Sequence, residues 1–228
     1  MVLSRRLAAL LTVLCAAVAL SGCSAAKTEP ESAPTSAEAA AEYDLARLAV
    51  MHDDFPPGFI PFPFELRKLQ PTYVDQVSAA VSYGRPFTVD PPQCKSLLKP
   101  VDGQAGADSN GSRADGPDKQ SISVAADMPV SVPAEIPATG CNRMTYTVQD
   151  DRHPSNGTAE RITAPSIGGA TTFALKIVVD GFPQPEYFYA AILDERVFVD
   201  VNARLNPGVQ ADPLLSDLLV KAVAAIRG

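Results

Sequence analysis

Histidine is nearly missing from this chain: two occur in 228 residues, at positions 52 and 153. That scarcity leaves little material for a zinc site, a Ser-His-Asp relay or a histidine acid–base pair. His52 precedes Asp53 and Asp54, and His153 follows Asp150, Asp151 and Arg152. Either cluster offers at most a weak metal or acid–base arrangement, and both read better as solvated loops. The G-x-S-x-G elbow, HExxH, CxxC and a phosphate-cradling glycine loop are absent too, which removes the common signatures of hydrolases, zinc peptidases, redox dithiols and nucleotide binders. No catalytic residue, metal ligand or cofactor is therefore assigned, and the expected function is non-enzymatic. Basic charge is also short. Nineteen Lys and Arg face 26 Asp and Glu, a net charge of −7, so nucleic acid and anionic lipid headgroups are poor partners.

What is present begins at the amino terminus. Arg5 and Arg6 precede an apolar run from Leu7 to Leu20, which is the length of a signal-peptide core and short for a bilayer span. In place of an A-x-A cleavage site stands Leu20-Ser21-Gly22-Cys23, which resembles a bacterial lipobox. That resemblance implies removal of residues 1–22 and lipidation of Cys23. Two or three acyl chains would anchor the protein stably, at about 0.8 kcal/mol per buried methylene. Loss of Arg5 and Arg6 with the leader takes the net charge to −9. Residues 23–41 are rich in Ala, Ser, Thr, Pro and Glu and read as a tether reaching about 20–25 Å. The expected location is the outer face of the cell membrane.

With Cys15 leaving in the leader and Cys23 lipidated, Cys94 and Cys141 remain. Two leftover cysteines in an exported chain most simply pair with each other. A metal site is the rival, but neither has a second cysteine or a histidine at ligand spacing. Asn110-Gly-Ser112 and Asn156-Gly-Thr158 match the glycosylation pattern, incidentally in a chain with a bacterial export signal.

Residues 42–228 read as one α+β domain: an antiparallel sheet of five to six strands packed by a C-terminal helix and one or two shorter ones. A helix is expected over Ala37–Met51, with Leu45, Leu48 and Met51 as its apolar stripe. Phe59–Leu69 carries two prolines, Pro61 and Pro63, among its apolar residues, which suits an irregular or edge strand. Asp90 is expected to cap a short helix beginning at Pro91 and Pro92 and carrying Cys94, Leu97 and Leu98. Asp102–Lys119, rich in Gly, Asp and Ser, reads as a disordered loop.

Six strands follow: 121–128, 143–149, 158–164, 171–179, 186–193 and 197–203. Asp194-Glu195-Arg196 links the last two as a hairpin, placed centrally because both faces of Tyr187–Ile192 are apolar. Asp212 is then expected to cap a helix that begins at Pro213 and carries Leu215, Leu218, Leu219, Ala222, Val223 and Ile226 on one face. That stripe reads as core packing.

Several of these stretches recur together elsewhere. Asp90-Pro-Pro-Gln-Cys94 with Leu97 and Leu98, Cys141 before a strand, Ala164-Pro-Ser-Ile-Gly-Gly169, and the ending Asp217–Arg227 resemble a mycobacterial lipoprotein family with a C-terminal domain of unknown function. The likeness spans most of residues 43–228. More loosely, the two-cysteine sheet-and-helix layout is similar to the extracellular sensor domain of a mycobacterial serine/threonine kinase, although that type has more cysteines and an attached kinase. The family implies an organism and a compartment and no activity for particular residues. Three functions stay open: a tethered module binding an envelope protein or small ligand, a carrier of an apolar lipid in a cavity between sheet and helix, and an envelope hydrolase.

Overall fold

The computed structural model describes residues 42–150 and 154–228, within one compact unit, Ala41–Gly228. Cys23, His153, and the leader and tether lie outside the described residues. Nine strands form one sheet: β1 (Ile60–Lys68), β2 (Phe87–Asp90), β3 (Asp102–Asp115), β4 (Ser121–Ser131), β5 (Arg143–Val148), β6 (Ser155–Ile162), β7 (Ala170–Val179), β8 (Glu186–Leu193) and β9 (Val197–Arg204). Their spatial order is β1-β3-β4-β9-β8-β7-β6-β5-β2, and all neighbours run antiparallel. Two short helical pieces matter, α1 (Lys95–Leu98) and α2 (Ala211–Arg227).

The α+β class and the antiparallel sheet agree with the sequence; the strand count does not. Nine strands replace the expected five to six, and the main error is Asp102–Lys119. This stretch is not a disordered loop, since its first fourteen residues form β3 between β1 and β4. Its turn-like composition is overridden because both edges are paired, while Ala107, Gly111, Ser112 and Ala114 are small enough to be buried there. Gly106, at φ +85°, sits in the irregular stretch between Gly103 and Asp108 where the register shifts. Gly103 has room for no side chain, since a Cβ would lie 2.8 Å from the Val74 carbonyl oxygen.

The proline-rich β1 does lie at an edge, where a missing donor on the free side costs nothing. The β8–β9 hairpin is central, as its two apolar faces require. Its turn puts Asp194 and Glu195 at φ +48° and +55°.

The sheet is covered on both faces. On one, the stripe of α2 packs with Leu45, Leu48 and Met51 against alternate residues of β4, β8 and β9, including Val124, Tyr189, Val199 and Val201. The α2 residues named from the sequence are all exposed by 1% or less, so this layer is filled. Leu45–Asp54 is a 3₁₀ helix, capped by the Asp44 carboxylate, which accepts from the Ala46 N–H at 3.0 Å. The expected helical residues 37–41 lie outside the described residues. Asn110 fastens this helix to β3 by donating to the Leu45 carbonyl at 2.7 Å.

On the second face Phe173, Leu175, Phe188, Ile192 and Phe198 pack against Leu97, Leu98, Val101 and the Cys94–Cys141 disulfide. The two leftover cysteines do pair.

Two expected caps are corrected. Asp90 ends β2 opposite Thr145 and caps nothing; the next turn, Pro92–Cys94, is 3₁₀ with Pro91 at its cap position and no side-chain cap. Pro91 and Pro92 supply no N–H for a carboxylate to accept. The Asp212 expectation fails similarly, because α2 begins at Ala211, two residues before Pro213, with Gln210 as its uncapped N-cap. Asp212 instead accepts from the Tyr189 hydroxyl at 3.2 Å and the Ser216 hydroxyl at 3.1 Å. Among the described residues no helix is long and apolar enough to cross a membrane.

Candidate functional site

The segment between β1 and β2 crosses the second face of the sheet and makes the relief there. Pro71–Gln76 is a 3₁₀ turn, and Ser78 follows at φ +59°. The Ser78 hydroxyl donates to the Val101 carbonyl at 2.7 Å, the Ala80 N–H bonds the Leu98 carbonyl at 3.1 Å, and Val77 and Val81 are buried. Lys99 reinforces the crossing by donating to the Val77 and Val101 carbonyls at 2.8 and 3.0 Å, and burial lowers its pKa. So anchored, the segment ends in a tight turn that lifts Tyr83, 65% exposed and at φ +50°, off the surface.

Three clefts surround this bridge. The first, about 520 Å³, lies beside Arg85, Phe87, Lys95, Ser96, Lys99 and Pro133. The second, about 320 Å³, has a polar floor of Ser121, Ser123, Asn202 and Arg204 from β4 and β9, with Arg113 at its side. The third, about 530 Å³, is walled by Val81, Val148, Val179 and Phe182. Tyr83, Glu186 and Arg204 line both the second and the third, which makes them one groove with a polar and an apolar half. Residues of α2 line none of the three.

The groove's charges are matched. Arg204 donates to Glu186 on the neighbouring strand and also interacts with the Tyr83 side chain; the hydrogen bond to Glu186 raises the Arg204 pKa. Arg113 bonds Asp115 at 2.8 Å, and Arg85 pairs with Asp150. Under the same sheet face lie two buried carboxylates, Asp127 and Asp200. Burial pushes Asp127 up to about 6 and Asp200 well above the usual range.

The residues singled out from the sequence fall elsewhere. Cys94 and Cys141 are fully buried and join the 3₁₀ turn that leads into α1 to the loop before β5. His52 lies at the surface, with Nδ1 2.6 Å from the Ala49 carbonyl and Nε2 3.1 Å from Asp53, and lines none of the clefts. Asp54 pairs with Lys221 at 2.9 Å. No cluster of three or more His, Cys, Asp or Glu suited to a metal occurs among the described residues. Sequence reasoning missed Tyr83, Glu186, Arg204, Ser123 and Asn202. A signal was available in Val197–Arg204, where Asp200, Asn202 and Arg204 occupy every second position of a strand otherwise apolar enough for the centre of the sheet.

This fold is that of a sheet-based domain described by its family as a domain of unknown function. The chain belongs to that family, DUF5642, whose pattern matches residues 44–227. A crystal structure of an uncharacterised Mycobacterium smegmatis protein, an Rv0999 ortholog, superposes with a TM-score of 0.62 at 20% identity. The match covers 82% of this chain and 98% of that one, so the two share a fold. The extracellular domain of PknH from Mycobacterium tuberculosis aligns at a TM-score of 0.38 and 14% identity, over 72% of this chain and 84% of that one. No curated protein matches the chain.

Proposed function

We propose that this protein is a lipid-anchored module of the mycobacterial cell envelope that binds a ligand or partner in the groove beneath Tyr83 and performs no chemistry on it. The observation that carries the reading is the groove itself. An aromatic side chain is held exposed, in a backbone conformation disfavoured for it, at the junction of two clefts, a cost that packing does not repay and that ligand contact would. The lipobox at Cys23 and the acidic surface support an extracytoplasmic, membrane-tethered setting. The carrier alternative needed a cavity between sheet and helix; the filled α2 layer favours the groove on the opposite face instead.

The test uses the full chain in a mycobacterial host. A photo-crosslinking benzoylphenylalanine at position 182 is expected to give a covalent adduct, and the same residue at exposed position 50, on the other face, is not. Unmodified chain from both positions overturns the groove as the binding site. Separately, Cys23→Ala is expected to move the folded domain out of the membrane fraction; retention there overturns the acyl anchor.

A further inference from the structure

Resting on the groove being the binding site, we infer that its ligand is an uncharged, hydroxyl-rich amphiphile, with the polar head over β4 and β9 and the apolar part against Phe182. Three observations lead there.

The first is segregation. Ser123 pairs directly with Asn202, and Ser121 with Arg204, so the polar half presents hydroxyl, amide and guanidinium groups at cross-strand spacing on a rigid floor. These donate and accept, as a ring of hydroxyls does. The apolar half offers Val81, Val148, Val179 and Phe182, and Phe182 is 60% exposed. A ligand of uniform polarity leaves one half uncovered or desolvates the other without compensation.

The second is charge. Arg204, Arg113 and Arg85 are each already bonded to a carboxylate, of Glu186, Asp115 and Asp150 respectively. A phosphate or carboxylate head would have to displace these partners, and an ammonium head would meet the guanidinium groups. A neutral head asks for neither.

The third is Tyr83 at the seam between the halves. Its ring offers an apolar face to the carbon side of a sugar ring while its hydroxyl stays with Arg204. The two openings, about 320 and 530 Å³, lie in the usual range for small-molecule sites, roughly 300–1,000 Å³.

The experiment titrates the lipid-free chain of residues 41–228, one compact unit of the structure, with octyl glucoside, octyl phosphate and octyltrimethylammonium. Each stays below its micelle concentration, with glucose and octanol as half-ligands. Calorimetry gives affinity, and amide shifts give location. The glucoside is expected to bind at least tenfold more tightly than either charged analogue and to shift both Ser123/Asn202 and Val179/Phe182. Ser123→Ala should weaken the glucoside several-fold and leave octanol unchanged, whereas Phe182→Ser should weaken both.

Preference for the phosphate, or equal binding of all three heads, overturns the inference and leaves the groove as a site of other chemistry. No binding by any probe, together with a protein-sized adduct at position 182 in cells, also overturns it while the binding-module reading stands. No binding and no adduct removes both.

Discussion

Asp127 and Asp200 are diagonal neighbours on adjacent central strands: Asp127 of β4 stands opposite Phe198, and Asp200 of β9 opposite Ala125. Both are 6% exposed, on the sheet face that carries the groove. Asn202 donates to Asp200, while the Oδ1 of Asp127 has no hydrogen-bond partner among the described residues. The groups that bear on Asp127 are the Ser109 hydroxyl on β3, Arg67 on β1, and Lys99 beyond α1; none offsets its burial.

The pair therefore makes stability depend on pH with a definite sign. The folded state holds Asp127 protonated up to about pH 6, whereas an unfolded aspartate releases its proton near 4. Its contribution is fully present below the unfolded value and is lost as pH rises through the folded one, a loss of about 3 kcal/mol. Asp200, also shifted upward by its burial, adds to the loss in the same direction. Asp127→Asn is expected to stabilise the domain by about 2 kcal/mol at pH 7.5 and to be near neutral at pH 4. Urea unfolding at both values checks this; a variant equally destabilised at both would sink it.

Gly157 lies across the β5–β6 pair from Tyr146. A Cβ there would sit 2.5 Å from the Tyr146 hydroxyl oxygen and collide with the Val178 carbonyl oxygen. Neither neighbour can retreat easily, since Tyr146 is buried and Val178 belongs to β7. Gly157→Ala is expected to cost about 3 kcal/mol. A urea midpoint unchanged from the parent chain would show that β6 can shift outward.

The Cys94–Cys141 bridge spans 47 residues of sequence, including the whole of β3 and β4. Constraining so long a stretch in the unfolded chain stabilises the fold by about 4 kcal/mol on the chain-entropy account. The double variant Cys94→Ala, Cys141→Ala should lose about that much, and reductant should destabilise the parent chain alone. Equal sensitivity of both to reductant would place the effect elsewhere.

These sites differ in how far the sequence announces them. The α2 stripe, the β8–β9 hairpin and the edge position of β1 follow from local pattern, because apolar periodicity and proline act through the chain itself. The disulfide follows from counting cysteines. β3 did not, since Gly, Asp and Ser in Asp102–Asp115 are strand residues only by virtue of partners on both sides, and those partners are remote. The caps at Asp90 and Asp212 failed on shifts of a residue or two, where prolines and strand pairing decide the boundary. The groove was the least legible. Tyr83, Phe182 and Arg204 are brought together across 121 residues of sequence by the anchoring of Ser78 and Ala80, and no short motif marks them. The alternation of Asp200, Asn202 and Arg204 in a central strand was the one local sign of a polar floor.

Tyr83 sets stability against binding. A left-handed backbone costs an ordinary residue about 1–2 kcal/mol, and Tyr83, mostly exposed, recovers little of that by packing. Asparagine accepts the conformation readily. Tyr83→Asn is therefore expected to stabilise the free domain by up to about 1 kcal/mol, after its interaction with Arg204 is lost, and to weaken occupancy of the groove at least tenfold. Thermal unfolding and the octyl glucoside titration measure the two effects on the same sample. A variant that is both less stable and equally able to bind would make Tyr83 a structural residue, and would move the binding surface away from the seam between the two clefts.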